Sequence, residues 1–160
     1  MTLRRLEITT LALGPLLAAL SGFGSPAPAP PDPPDSRAQI EQAARDYLEG
    51  WYTADPVRIG RALHPDLVKR YVDSLPSGRQ VVHTLSRDQM IEMTRSGGGS
   101  KTPAEGRRIS VQLLTVSGDI AVAQASSSEY VELLSLAKIN GEWSIVNILW
   151  RFASAGPPRR

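Results

Sequence analysis

Histidines and carboxylates are the side chains of this sequence that could carry proton-transfer chemistry. His64 precedes Asp66 by two residues, and an imidazole oriented by a carboxylate is a common general base. His64 also ends a short helical pattern, where its imidazolium would simply complement the helix dipole. Glu132 lies in a strand-like run, and burial would raise its pKa toward a value useful for acid–base work. Tyr47 or Tyr52 could donate a hydrogen bond opposite it. His64 and Glu132 are therefore the candidate catalytic residues.

Metal and cofactor chemistry has little support in the sequence. His64 and His83 could be combined with Asp66 or Asp73, but no close-spaced ligand pair occurs and the chain has no cysteine. The glycine run at residues 97–99 follows a helical pattern and lacks the Lys-Ser/Thr ending of a phosphate-binding loop. We therefore predict no metal, no cofactor and a flexible loop at this run.

Aromatic and amide side chains are the candidates for contact with a ligand. Tyr47 and Trp51 share one face of a predicted helix, where they would pack in the core or line a cavity. Asn147 interrupts an apolar strand, and a buried amide needs a core group, a water or a ligand as its partner. Gln124 could face the same space. The predicted ligand-binding residues are Tyr47, Trp51, Tyr52, His64, Gln124 and Asn147.

The strongest local signal is the Asn140-Gly141 pair between two apolar runs. Both residues tolerate the positive φ of a type I′ turn, so a hairpin is predicted here. Strict alternation along the second run predicts that two sets of side chains point to opposite faces of a strand. One face would carry Trp143, Ile145, Asn147 and Leu149, and the other Ser144, Val146, Ile148 and Trp150. Both faces are mostly apolar, which predicts a central strand covered on both sides.

Three helical segments are predicted before the long sheet. Ser36, three residues before Gln39, resembles the N-cap of the first helix, and Gly50 would weaken its end. Asp55 caps a second helix at residues 56–62, and Ser86 or Thr84 caps a third at 87–94. Strands are predicted at residues 67–72, 80–84, 108–116, 120–125, 130–139 and 143–152. This order indicates an α+β fold.

The chain of 160 residues is long enough for one domain with appendages. Residues 1–24 resemble a signal peptide, with a charged start and a short apolar core. Residues 25–36 form a proline-rich linker, 37–152 the domain and 153–160 a disordered tail. We expect a secreted or periplasmic protein without a stable membrane anchor after processing; otherwise it is cytoplasmic. The net charge of +2 and the absence of a basic cluster argue against nucleic acid as a partner.

The order of elements and several segments resemble the nuclear-transport-factor-2-like (NTF2-like) superfamily, which includes ketosteroid isomerase-like and polyketide cyclase-like (SnoaL-like) proteins. The chain is more narrowly similar to the "putative lumazine-binding" branch, over residues 47–52, 62–70, 136–138 and 141–150. The resemblance implies a cone in which the N-terminal helices pack on a curved, mainly antiparallel sheet around a cavity. Branch members often carry Asp-Tyr where this chain has Glu132-Leu133, so that tyrosine's role does not transfer.

A small-molecule-binding, non-catalytic domain is the leading functional hypothesis. The two-sided apolar strand further predicts a homodimer, since the face away from the helices also needs cover. One alternative is an isomerase- or cyclase-like enzyme that transfers protons through His64 or a buried carboxylate. Another is an accessory domain whose cavity is filled by Trp51, Trp143 and Trp150.

Overall fold

A computed structural model describes residues 34–154 of the chain. The predicted signal peptide, residues 25–33 of the predicted linker and residues 155–160 of the predicted tail lie outside this range. The helices are α1 (Pro34–Thr53), α2 (Pro56–Ala62) and α3 (Arg87–Arg95), with a 3₁₀ turn at Ala104–Gly106. The strands are β1 (Leu63–Ser74), β2 (Gln80–Ser86), β3 (Ser110–Ser117), β4 (Ile120–Ser126), β5 (Tyr130–Ile139) and β6 (Glu142–Phe152). The α+β prediction is confirmed.

The six strands form one curved, open sheet in the order β2-β1-β6-β5-β4-β3. All neighbours are antiparallel except β1 and β6, which run parallel. The helices cover one face, called here the inner face. The opposite, outer face is covered by no element of the described chain, and exposed apolar side chains such as Val82 and Leu149 remain on it.

The helix starts follow ordinary capping chemistry, with one correction. Asp55 accepts hydrogen bonds from the Val57 and Arg58 amides and caps α2, as predicted. Ser86 forms a full capping box with Gln89 at the start of α3. Ser36 was wrongly predicted as the cap of α1, because that helix already begins at Pro34 and Ser36 is buried within it. The last residues of the predicted linker, 34–36, are therefore helical.

The predicted hairpin is confirmed, but the alternation of β6 is interrupted. Asn140 and Gly141 have φ angles of 53° and 89°, as a type I′ turn requires. Ser135 pairs with Asn147 while Leu136 pairs with Ile145, so one extra residue is accommodated in β6. Such a bulge shifts the phase of the strand by one residue.

The bulge corrects the predicted faces of β6. The inner face carries Trp143, Ile145, Ile148 and Trp150, which lie opposite inner-face residues of β5. Asn147 and Leu149, predicted to share a face with Trp143, lie on the outer face instead. The strand is still apolar on both sides, but its single amide does not lie in the core.

Two glycine positions hold the helices close to their neighbours. A Cβ at Gly50 would lie 2.8 Å from the Ile59 backbone nitrogen, so α2 crosses α1 at a residue without a side chain. A Cβ at Gly99 would lie 2.6 Å from Trp51 Nε1, and the Gly99 amide donates to the Trp51 carbonyl at 3.1 Å. The glycine run, predicted as a flexible loop, therefore packs against the Trp51 indole.

None of the helices within residues 34–154 is long and apolar enough to span a bilayer.

We predict that Gly50→Ala destabilises the fold by about 1–3 kcal/mol, because the added methyl forces α1 and α2 apart. Urea unfolding midpoints measure this change. Gly60→Ala is the matched control: its Cβ would lie 3.4 Å from the flexible end of Ile91. Alanine gains helix propensity there, so G60A should be neutral or stabilising. Equal behaviour of the two variants would contradict the close-crossing explanation.

Candidate functional site

A cavity of about 80 Å³ lies between the inner face and helices α1 and α3. Its wall is largely apolar and aromatic, with Trp51, Tyr130 and Trp150 among the lining side chains. Leu48, Leu85, Met90 and Met93 complete the apolar part. The polar part consists of Tyr47, Lys69 and Glu132. A mostly apolar pocket with a few convergent polar groups is typical of a ligand site.

The three polar side chains form one hydrogen-bonded cluster, called here the Lys69 cluster. Lys69 Nζ donates to Glu132 Oε1 at 2.5 Å and to Tyr47 Oη at 2.6 Å. Tyr47 Oη donates to the same Glu132 oxygen at 3.0 Å. The members come from β1, β5 and α1, which are far apart in the sequence. Burial is nearly complete, since the side chains of Lys69 and Glu132 are 8% and 2% exposed.

Aromatic rings surround the ammonium group. Lys69 Nζ lies 5.0 Å from the ring centre of Trp150, 5.3 Å from Tyr47 and 5.9 Å from Tyr130. The faces of aromatic rings are negative, so they stabilise a cation at this distance. Together with the Glu132 carboxylate, they make the position of Nζ a favourable place for positive charge.

Tyr47 stays neutral in this environment. Burial raises the pKa of its hydroxyl well above the ordinary value, and the Glu132 carboxylate raises it further. A neutral phenol is a hydrogen-bond donor and acceptor at once. Tyr47 can therefore accept from Lys69 while it donates to Glu132.

The rings continue from the cavity along the inner face. Tyr71 and Trp150 have ring centres 4.7 Å apart, and Tyr130 packs edge-on against Trp150 at 5.4 Å. His83 stacks on Tyr71 at 4.9 Å, and Phe152 contacts Trp150 at 5.1 Å. Trp150 is thus shared between the cavity wall and a row of five rings across β2, β1, β6 and β5.

The family described as "Putative lumazine-binding" matches residues 35–151. The chain belongs to this family. The match spans α1 through β6 and so includes the whole Lys69 cluster. None of the curated proteins is similar enough in sequence to count as a relative.

Solved structures share the NTF2-like fold of this lumazine-binding-family chain. An NTF2-like protein of unknown function from Shewanella baltica is 14% identical, with 76% of this chain and 96% of the other covered and a TM-score of 0.61. A second, from Methylobacillus flagellatus, is 15% identical over 76% and 95%, with a TM-score of 0.56. A third, from Novosphingobium aromaticivorans, has a cystatin-like fold and is 12% identical over 76% and 84%, with a TM-score of 0.54.

Three predicted site residues of this family member meet at the cavity. Tyr47 and Glu132 are in direct contact, and Trp51 lies in the cavity wall. Tyr52 is buried behind them and donates its hydroxyl proton to Ser127 Oγ at 2.9 Å. Burial raises the pKa of Tyr52 to about 12, so it stays neutral. Tyr52 is absent from the cavity lining and fixes α1 to the turn between β4 and β5 instead.

The other three predicted residues lie elsewhere. His64 is the second residue of β1 and not a helix end; its Nδ1 accepts from the Asp66 amide at 3.1 Å, outside the cavity wall. Asn147 accepts from Arg70 Nη1 at 2.5 Å on the outer face, because the bulge rotates it away from the core. Gln124 pairs with Leu133 across the strands and also faces outward.

The histidines are held in separate pairs. His64 Nδ1 is 3.8 Å from Asp66, and His83 Nε2 is 3.5 Å from Asp73 on the β1–β2 hairpin. Within the described part of the chain, no three His, Cys, Asp or Glu side chains gather as metal ligands would.

Lys69 is the site residue that the sequence interpretation missed. It alternates with Leu67 and Tyr71 along β1, so a charge sits between two apolar residues on one strand face. That signal is the same one that drew attention to Asn147.

We predict strong coupling between Lys69 and Glu132 in a double-mutant cycle. Lys69→Met or Glu132→Gln alone should cost about 3–5 kcal/mol of unfolding free energy, because each leaves a buried charge unpaired. The double variant should be less destabilised than the sum by about 1–3 kcal/mol. The exposed Arg95–Glu92 pair is the control, where R95M and E92Q should be nearly additive. Additivity at Lys69 and Glu132 would contradict the buried pair.

Proposed function

We propose that this protein binds a small molecule in the cavity of the Lys69 cluster. The supporting observation is a buried group of hydrogen-bonding side chains at the wall of an aromatic cavity. Lys69, Glu132 and Tyr47 satisfy one another there, so the cluster stays formed without a ligand. A site that needs no reorganisation loses less free energy on binding. The family description supports the same class of function.

The size of the cavity limits what it can hold. A cavity needs about 10–15 Å³ of such volume to hold one water, so a volume of about 80 Å³ suits a molecule of a few heavy atoms. A two-ring compound such as lumazine would fit only if a side chain of the cavity wall moved aside. Met93 is the wall residue best suited to move, because it is 43% exposed and methionine side chains adapt easily.

The acid–base enzyme has weaker support. A general base needs a carboxylate free to accept a proton from substrate. Glu132 Oε1 accepts hydrogen bonds from Lys69 and Tyr47, so the protons within its reach belong to these two groups and not to a substrate. His64 lies outside the cavity wall. The accessory-domain alternative requires a filled interior, which the small cavity beside Trp51 and Trp150 does not favour.

We predict that lumazine, used as the probe, binds the wild-type protein and that Met93→Trp abolishes binding. The larger indole would occupy the cavity that Met93 and Trp51 line. Quenching of tryptophan fluorescence measures the affinity, since two of the three tryptophans line the cavity. Val57→Trp is the matched control, because Val57 is 69% exposed on α2 and outside the cavity.

Two outcomes would count against this site. If M93W binds lumazine as tightly as the wild type, the ligand lies elsewhere. If the wild type binds no lumazine and its native mass spectrum after purification carries no bound compound, the accessory-domain hypothesis is favoured instead.

We also propose that the protein forms a homodimer through the outer face of its sheet. Val72 pairs with Val82 and Leu133 with Leu149 on this face, and all four are 42–62% exposed. A second copy would bury these apolar side chains. Two copies related by a two-fold axis present the same surface to each other, which closes the assembly.

A native mass spectrum tests the dimer and, with it, the proposed export. For the full chain expressed in an exporting host, we expect a doubled mass and the loss of the N-terminal residues up to a cleavage site within residues 1–24. Leu149→Glu should give a monomer because it buries an unpaired charge in the interface. The Val57→Glu variant should remain dimeric, because Val57 is exposed on α2 and lies away from the outer face. A monomeric wild type would refute the dimer, and an intact N-terminus would refute the cleaved signal.

A further inference from the structure

The Lys69 side chain combines features that a nucleophilic amine requires. It is buried, it borders a cavity, and two proton-handling groups lie within hydrogen-bond distance of its nitrogen. A lysine amine held beside a base that can take its proton can act as the nucleophile toward a carbonyl carbon. We infer that the cavity takes small, uncharged carbonyl compounds and that Lys69 binds them covalently, as a protonated imine. This inference rests on the proposed binding function and names the ligand class of the same site.

The position of Nζ favours the product of this reaction. The protonated imine carries its positive charge at the same nitrogen as the lysine ammonium. Trp150, Tyr47 and Tyr130 stabilise a cation there, and the Glu132 carboxylate neutralises it. The surroundings of the charge therefore need not rearrange when the ammonium becomes an iminium.

Glu132 provides the path for the protons. One ammonium proton passes to Glu132 Oε1, which lies 2.5 Å away, and the freed lone pair attacks the carbonyl carbon. The carbonyl oxygen takes that proton from Glu132 and becomes a hydroxyl. A second nitrogen proton follows the same route, the hydroxyl leaves as water, and the nitrogen lone pair forms the C=N bond. Nitrogen keeps one proton, water carries two, and Glu132 ends as a carboxylate.

Tyr47 assists without changing its own charge. Its single hydroxyl proton is donated to Glu132 in the resting site. Once Glu132 holds the proton from Lys69, that hydroxyl, 2.6 Å from Nζ, can turn and donate to the carbonyl oxygen as negative charge develops there. The volume of about 80 Å³ selects for a few heavy atoms, and the apolar lining disfavours a charged substituent. Acetone fits both conditions and is the probe for the test.

The chain contains three lysines, Lys69, Lys101 and Lys138, so the other two serve as internal controls. Acetone with cyanoborohydride, a hydride donor that reduces iminium ions, converts each imine into a stable isopropyl-lysine. Peptide mapping then gives the rate at every lysine. Burial alone would make Lys69 the slowest and exposed Lys101 the fastest. We expect the reverse, with Lys69 faster than Lys101 by about tenfold or more because of proximity.

Two variants make the result decisive. Met93→Trp should suppress labelling at Lys69 and leave Lys101 and Lys138 unchanged. Glu132→Gln should slow Lys69 alone, provided that circular dichroism shows the fold intact. If Lys69 reacts no faster than Lys101 in the wild type, the inference is overturned. Should lumazine still bind in a manner that M93W abolishes, the covalent chemistry fails while the proposed binding function stands.

Discussion

Removing a charge from water is so unfavourable that a buried ion pair dictates much of the structure around it. Lys69 and Glu132 are both almost fully covered, and each provides the opposite charge that offsets the burial of the other. Their contact requires β1 and β5 to present these side chains to the same side of a sheet in which β6 lies between them. It also requires α1 to bring the Tyr47 hydroxyl over both groups. The pair thus joins the helical layer and two non-adjacent strands at one point.

The bulge in β6 brings an aromatic ring to the cavity wall beside this ion pair. Glu132 lies opposite Trp150 in the register between β5 and β6. With unbroken alternation from Trp143, Trp150 would fall on the outer face, and Asn147 would face the helices. The extra residue in β6 keeps Trp143 and Ile145 inside at one end and turns Ile148 and Trp150 inside at the other. Lys69 consequently meets an indole ring beside the carboxylate.

Local signals in the sequence were sufficient for the elements, and they pointed to three residues that line the cavity, Tyr47, Trp51 and Glu132. The hairpin followed from the backbone freedom of Asn140-Gly141, and the cavity face of α1 followed from the spacing of Tyr47 and Trp51. The errors at Asn147 and Gln124 have a different origin, because the face of a strand residue depends on pairing as well as on alternation. Lys69 could have been found from its place between Leu67 and Tyr71. Its partner could not, since nothing in the sequence specifies that Glu132 lies within hydrogen-bond distance.

The cavity and the row of rings outside it would hold different parts of a ligand. The cavity has a volume of about 80 Å³, which suits one functional group set against the Lys69 cluster. The row from His83 through Tyr71 and Trp150 to Phe152 offers a wider surface on which a planar or apolar remainder could stack. Trp150 belongs to both parts, and the glycine run packs against Trp51, which also lines the cavity. A ligand larger than the cavity would therefore place its reactive or polar end inside and its bulk along this row, with Met93 as the residue that must give way.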